Sequence, residues 1–153
     1  MYNSNIIINV LPFLASVLGF FWSVYLFKNF FKYRWLIIAL QLVLAYSLLD
    51  IFLSAWIKSD PLIVGLDEFM AIPLIYFTYK GFKKSLVFEF ILGFVLFLVL
   101  DNLKPWLITT AEDLPGVLGV LADDVSAALL AGLILFLVHL GLRFLKSVYL
   151  KKR

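Results

Sequence analysis

The chain has 153 residues, of which 64% are hydrophobic, with a formal net charge of +3 and no cysteine. Soluble domains use roughly 45–50% apolar residues, so this composition points to a membrane protein and excludes a soluble globular domain. The absent thiols exclude a disulfide framework and a thiolate metal site, and no basic run with interleaved aromatics indicates nucleic acid.

Five apolar stretches follow in chain order, at the ~20 residues that a span needs. They predict an all-α, polytopic membrane helix bundle with about five transmembrane helices, forming one domain over residues 1–153. The first stretch covers about residues 6–27. It has no basic segment before it and is too long for a cleaved signal, so it reads as a retained span. The second covers 35–57 and carries Asp50, the third covers 61–79 with Asp67, Glu68 and Pro73, and the fourth covers 85–100 with Glu89. Residues 101–113 read as the one long polar loop. The fifth stretch covers 114–145, with Asp123 and Asp124 near its start. Its length exceeds a ~30 Å hydrocarbon core, so its first turns are expected above the hydrocarbon or beside a wet cavity.

Basic residues sort the connections. Lys28, Lys32 and Arg34 follow the first stretch, Lys80, Lys83 and Lys84 the third, and Arg143, Lys146, Lys151, Lys152 and Arg153 the fifth. Only Lys58 and Lys104 fall on the other side. The positive-inside tendency then predicts a cytoplasmic C-terminus and an external N-terminus in a cytoplasmic (inner) membrane. Trp35, Trp56 and Trp106 lie near span ends, where interfacial tryptophans belong.

Five of the ten acidic residues fall in three short motifs: Asp67-Glu68, Asp101 and Asp123-Asp124. A carboxylate at bilayer depth is costly and usually has a charged partner. Asp60 and Lys58 mark one end of the third stretch, and Asp67 lies ~10 Å deeper along a helix. Asp101 closes the fourth stretch at that end, and Asp123 lies ~13 Å into the fifth, counted from Leu114. The spacing predicts that all three motifs meet at one face of the membrane. Oxygen donors without His or Cys suit Mg²⁺ or Mn²⁺ and not zinc. Five carboxylates exceed what one Mg²⁺ takes, so two ions ~3.5–4 Å apart fit the set. Lys104 would clamp phosphate oxygens, and Pro105 would start a short helix or fix a turn.

Three runs resemble the phosphatidylglycerophosphatase A family. Asp60-Pro61-Leu62-Ile63-Val64-Gly65-Leu66-Asp67-Glu68 is similar to its D-P-x-x-I-V-x-D-E segment. Leu100-Asp101-Asn102-Leu103-Lys104-Pro105-Trp106 is similar to its F-D-x-x-K-P-W-P. The run from Leu114 to Val125, which ends Leu121-Ala122-Asp123-Asp124-Val125, is similar to its G-G-x-G-I-M-x-D-D element. The resemblance covers roughly residues 58–135, in family order. It implies a Mg²⁺-dependent enzyme that removes the terminal phosphate of phosphatidylglycerophosphate. It places Asp67, Glu68, Asp101, Lys104, Asp123 and Asp124 on functional positions, with Asp60 in a supporting one. The chain departs from the family at Leu107, where a Pro is usual, and at Pro115-Gly116, which stands for Gly-Gly. The family's N-terminal Gly/Ser/Pro-rich stretch survives at best as the remnant Phe13-Leu14-Ala15-Ser16.

A small cation transporter or channel subunit is the alternative, since intramembrane acids also line ion pathways. A lipid-binding relative without turnover is a third class. Phospholipid substrate and membrane lipids are the expected partners, and an oligomer is left open. His139 lies ~22 Å along the helix from Asp124, too far for a ligand, and reads as an interfacial or packed histidine. Ala128-x-x-x-Gly132 reads as a close helix contact. Asp50 and Glu89 stand outside the proposed site.

Overall fold

In a computed structural model of the chain, described for residues 4–55, 63–79 and 87–151, every regular element is helical. The α-helices are α1 (Ser4–Asn29), α2 (Arg34–Ala55), α3 (Ile63–Ala71), α4 (Val87–Leu103), α5 (Trp106–Glu112) and α6 (Val117–Lys151). Short 3₁₀ segments cover Phe31–Tyr33 and Ile72–Tyr76.

Among the described residues, three segments are long and apolar enough to cross a membrane: Val10–Asn29, Phe31–Ile51 and Val117–Phe144. Their outward faces carry large apolar side chains such as Phe21, Val43 and Phe144, each more than 60% exposed. Water would penalise that surface, whereas lipid solvates it, so burial alone does not separate outside from inside here.

The core lies around the segment that the sequence analysis takes as a single third span. That segment is interrupted: α3 gives way at Ala71 to a 3₁₀ stretch whose five residues, Ile72, Pro73, Leu74, Ile75 and Tyr76, are all buried. Pro73 removes a backbone donor and its ring crowds the preceding turn, which ends the α geometry. A 3₁₀ stretch pairs its backbone less well than an α-helix does, so in apolar surroundings it persists where protein packs around it. Here α1, α4 and α6 enclose it, with Phe27, Phe90 and Leu135 among the buried neighbours. Tyr76 stacks on Phe90 at 4.1 Å between ring centroids, and its hydroxyl donates to the Phe90 carbonyl at 2.6 Å. A buried phenol needs such an acceptor. Ala128 is fully buried, and a side chain at Gly132 would lie 2.5 Å from the Ile75 carbonyl oxygen. The small-residue pair on α6 is thus a contact for this irregular backbone.

The polar stretch 101–113 is not a loop. The last residues of α4 run to Leu103, and after a two-residue turn the chain enters α5, with Pro105 at its N-cap. The helix that carries Asp123 and Asp124 begins at Val117 and not at Leu114, after Gly116 at φ +64°. The acid pair therefore lies ~9 Å into that helix, shallower than counted from Leu114. Trp35 and Trp106 sit at the starts of α2 and α5 and are exposed, and Trp56 lies outside the described residues.

Candidate functional site

Three helices bring the acidic motifs together. Asp67 and Glu68 lie on α3, Asp101 in the last turn of α4, and Asp123 with Asp124 in the second turn of α6. Asp67, Asp123 and Asp124 are 5%, 9% and 4% exposed, so their carboxyls are withdrawn from solvent. Asp101 and Asp124 meet in a side-chain hydrogen bond. Asp124 is also within electrostatic reach of Asp67, Glu68 and Asp123, and Glu68 is within reach of Asp101 and Asp123. Asp60 lies outside the described residues.

The two acid pairs repeat one local arrangement. Asp67 accepts from the Glu68 backbone N–H through Oδ1 at 3.0 Å, and Asp123 accepts from the Asp124 N–H through Oδ1 at 2.9 Å. In the second pair, Oδ2 of Asp123 turns to Lys104 Nζ at 2.9 Å. Lys104 reaches a second carboxylate, Glu112 Oε2 on α5, at 3.0 Å.

Lys104 owes its position to the end of α4. Its φ of +40° places it in the left-handed region, and its N–H donates to the Leu100 carbonyl at 2.8 Å. This closes the helix as a C-terminal αL residue does, although that site usually falls to glycine. Pro105 follows, which bars a continued helix. Partial burial alone would lower the pKa of the ammonium, but hydrogen bonds and charge from Asp123 and Glu112 outweigh it and hold Lys104 above the ordinary lysine range. It therefore stays protonated at neutral pH.

The neighbourhood holds six carboxyls (Asp67, Glu68, Asp101, Glu112, Asp123, Asp124) and the Lys104 ammonium, which pairs with two of them, Asp123 and Glu112. Buried like charges need neutralisation by protons or cations. By donor chemistry the set fits a hard, oxygen-liganded cation. Yet among the described residues no three acidic or histidine side chains are arranged to hold an ion as they stand. Lys104 occupies one oxygen of Asp123, and Asp101 and Asp124 face each other.

Two residues near the acids were not singled out as site residues from sequence. Glu112 lay in the presumed loop; its signal would have been helical spacing after Pro105. Ser16, buried on α1, donates to Glu68 Oε2. Away from the cluster, Glu89 accepts from Tyr79 Oη at 2.6 Å and lies 3.3 Å from His139 Nδ1. His139 is thus a packed histidine at the other end of α6, and Asp50 is exposed on α2.

The family model for phosphatidylglycerophosphatase A matches residues 5–139, which takes in α1, the interrupted segment, all three acidic motifs and Lys104. No curated protein and no solved structure matches the chain. The chain belongs to the phosphatidylglycerophosphatase A family, membrane phosphoric monoester hydrolases of phosphatidylglycerol biosynthesis.

Proposed function

We propose that the acids on α3, α4 and α6, together with Lys104, form the site at which this chain hydrolyses the terminal phosphomonoester of phosphatidylglycerophosphate. The observation that carries the reading is the meeting of Asp67, Glu68, Asp101, Asp123 and Asp124, with Lys104 paired to Asp123, in a chain whose family match includes them all. Water oxygen attacks phosphorus, the phosphorus–oxygen ester bond breaks, and the freed glycerol oxygen takes a proton. Products are phosphate and phosphatidylglycerol. Lys104 would stabilise charge on the phosphoryl and leaving oxygens, as an ammonium fixed beforehand does. Glu68, or whichever of Asp123 and Asp124 is not a ligand, would take the proton from the attacking water. An aspartyl-phosphate intermediate is the other route these side chains allow.

Asp67, Asp101 and Asp123 or Asp124, with Glu68, would hold Mg²⁺ (or Mn²⁺), as one ion or two. When bound, the cation would neutralise the carboxylates and make coordinated water more acidic. To hold it, Asp123 Oδ2 would have to leave Lys104, and Asp101 would have to part from Asp124. Asp60 would support the set from α3's N-terminal side.

The apolar surround suits a lipid-borne phosphate. We place the enzyme in the cytoplasmic membrane with its C-terminus cytoplasmic, in keeping with the distribution of lysine and arginine. Five passages would result if α4 with the residues before it, and the α3–3₁₀ unit, cross beside the three long helices. The cation-transporter alternative draws no support, because among the described residues five acids gather near one end of α6 and Glu89 alone lies against its other end.

The test is phosphate release by purified protein in detergent from a panel of phospholipid monoesters, with and without chelator. Release from phosphatidylglycerophosphate that stops on chelation is the expected result. Phosphomonoester hydrolysis is among the slowest uncatalysed reactions, so Asp124→Asn should reduce release by orders of magnitude. Full activity in that variant would remove Asp124 from the mechanism.

A further inference from the structure

The first helix contributes a polar group to the acid cluster. Ser16 is fully buried on α1, and its hydroxyl donates to Glu68 Oε2, 52 residues away on α3. The same hydroxyl lies 3.2 Å from the Pro12 carbonyl oxygen one turn earlier. A serine inside an apolar helix ordinarily satisfies itself on that carbonyl alone. Here the packing offers a second acceptor.

The packing is close because small residues line it. A Cβ on Gly65 would lie 2.8 Å from the Ala15 Cβ, and a Cβ on Gly19 would lie 2.9 Å from the Phe69 carbonyl oxygen. Ser16 sits between these two contacts. It is held against α3 at the turn that carries Asp67 and Glu68, while nearby Phe13, Leu14 and Leu18 face outward. A serine hydroxyl and a glutamate are costly to bury unless they satisfy each other. Glu68 is half-buried, and this bond gives its Oε2 a donor on α1.

We propose that Ser16 is a positioning residue: α1 fixes the Glu68 carboxylate against the acids of α4 and α6 through this hydroxyl. The role rests on the phosphatase reading above. Glu68 freed from Ser16 can swing along the α1–α3 seam, and proton transfer needs the base within hydrogen-bond reach of its water. A loss of orientation appears in kcat more than in KM.

Ser16→Ala, Glu68→Gln and the double variant are to be compared for phosphate release from phosphatidylglycerophosphate in mixed micelles, with thermal midpoints recorded. Ser16→Ala should lower kcat about tenfold, leave KM within about twofold, and lose its effect when Glu68 is already Gln. Unchanged kcat, or full additivity of the two substitutions, would overturn the role. So would a midpoint drop large enough to account for the lost activity. Because the chain has no cysteine, a Ser16→Cys/Glu68→Cys variant reads the contact without catalysis. Bridging by a short bifunctional thiol reagent, which covers the length of the replaced glutamate side chain where a direct disulfide need not reach, is expected, and its absence would overturn the geometry. Wild-type protein that releases no phosphate, while the double-cysteine variant is bridged, would strike down the phosphatase reading, and the positioning role with it.

Discussion

Lys104 concentrates three separate demands in one residue. Its ammonium pairs with Asp123 and Glu112, its backbone closes α4, and its φ of +40° is one a side chain rarely adopts. Such strain is retained where a site requires it. Two substitutions separate the demands. Lys104→Met should cost about 10²–10³ in kcat, the range for removing one fixed charge-stabilising donor, as measured by phosphate release at saturating lipid. Lys104→Gly and Lys104→Ala both lose the ammonium, yet glycine should leave the protein about 1 kcal/mol more stable than alanine, because only alanine retains the left-handed strain. Thermal midpoints in detergent decide this, and equal midpoints would mean that the backbone is not strained. The pH sign follows from the raised pKa. A cation whose folded pKa lies above its unfolded value stabilises fully below that unfolded value, ~10.4 for lysine, and the contribution fades as pH rises through the folded value. The pairing is thus complete across the neutral range.

At the scale of elements, the sequence made the carboxylates legible and left their neighbours obscure. Asp67, Asp101 and Asp124 stood out because acids among apolar residues have few innocent explanations. Pro105 pointed to a helix start, and α5 follows it. Pro73 was equally visible, but a proline can kink a span without ending its α geometry, and only the surrounding helices determine which. Ser16 was illegible for a different reason: its meaning depends on a partner 52 residues away, across an α1–α3 contact that no local pattern encodes, whereas Glu112, 8 residues from Lys104, was hidden only by reading 101–113 as a loop. The far-end group Tyr79, Glu89 and His139 is of that kind also. It ties the end of the interrupted segment to α4 and α6. His139→Ala should lower stability by at most about 1 kcal/mol, the range for one partly exposed polar pair. It should leave kcat nearly unchanged, because His139 is ~22 Å along α6 from Asp124. A large loss of phosphate release without a fall in thermal midpoint would show that the two ends of α6 are coupled.

For the whole molecule, the arrangement has a consequence for sidedness. Thr110 on α5 lies beside the acid cluster's end, and Arg143 lies near the other end of α6; both are exposed. From Val117 to Arg143 the helix rises ~39 Å, more than the ~30 Å hydrocarbon core. The two positions must therefore open to opposite sides if α6 crosses the membrane. The absence of cysteine makes this directly measurable. Single variants Thr110→Cys and Arg143→Cys, treated with an impermeant maleimide in sealed, oriented vesicles, should label from opposite faces, with Arg143→Cys reacting on the cytoplasmic one. Labelling of both from one side would mean that α6 does not span, and the three-helix membrane frame would fail with it. Labelling from opposite faces with Arg143→Cys external would retain the frame and invert the orientation, which places the acids on the cytoplasmic side. The basic residues of the sequence favour the first orientation, since the five-span reading expects eleven of the thirteen on Arg143's side. In that orientation the phosphorylated head group must be presented to Lys104 from the face opposite the C-terminus, so substrate supplied only to the C-terminal face of sealed vesicles should be hydrolysed no faster than lipid crosses the bilayer.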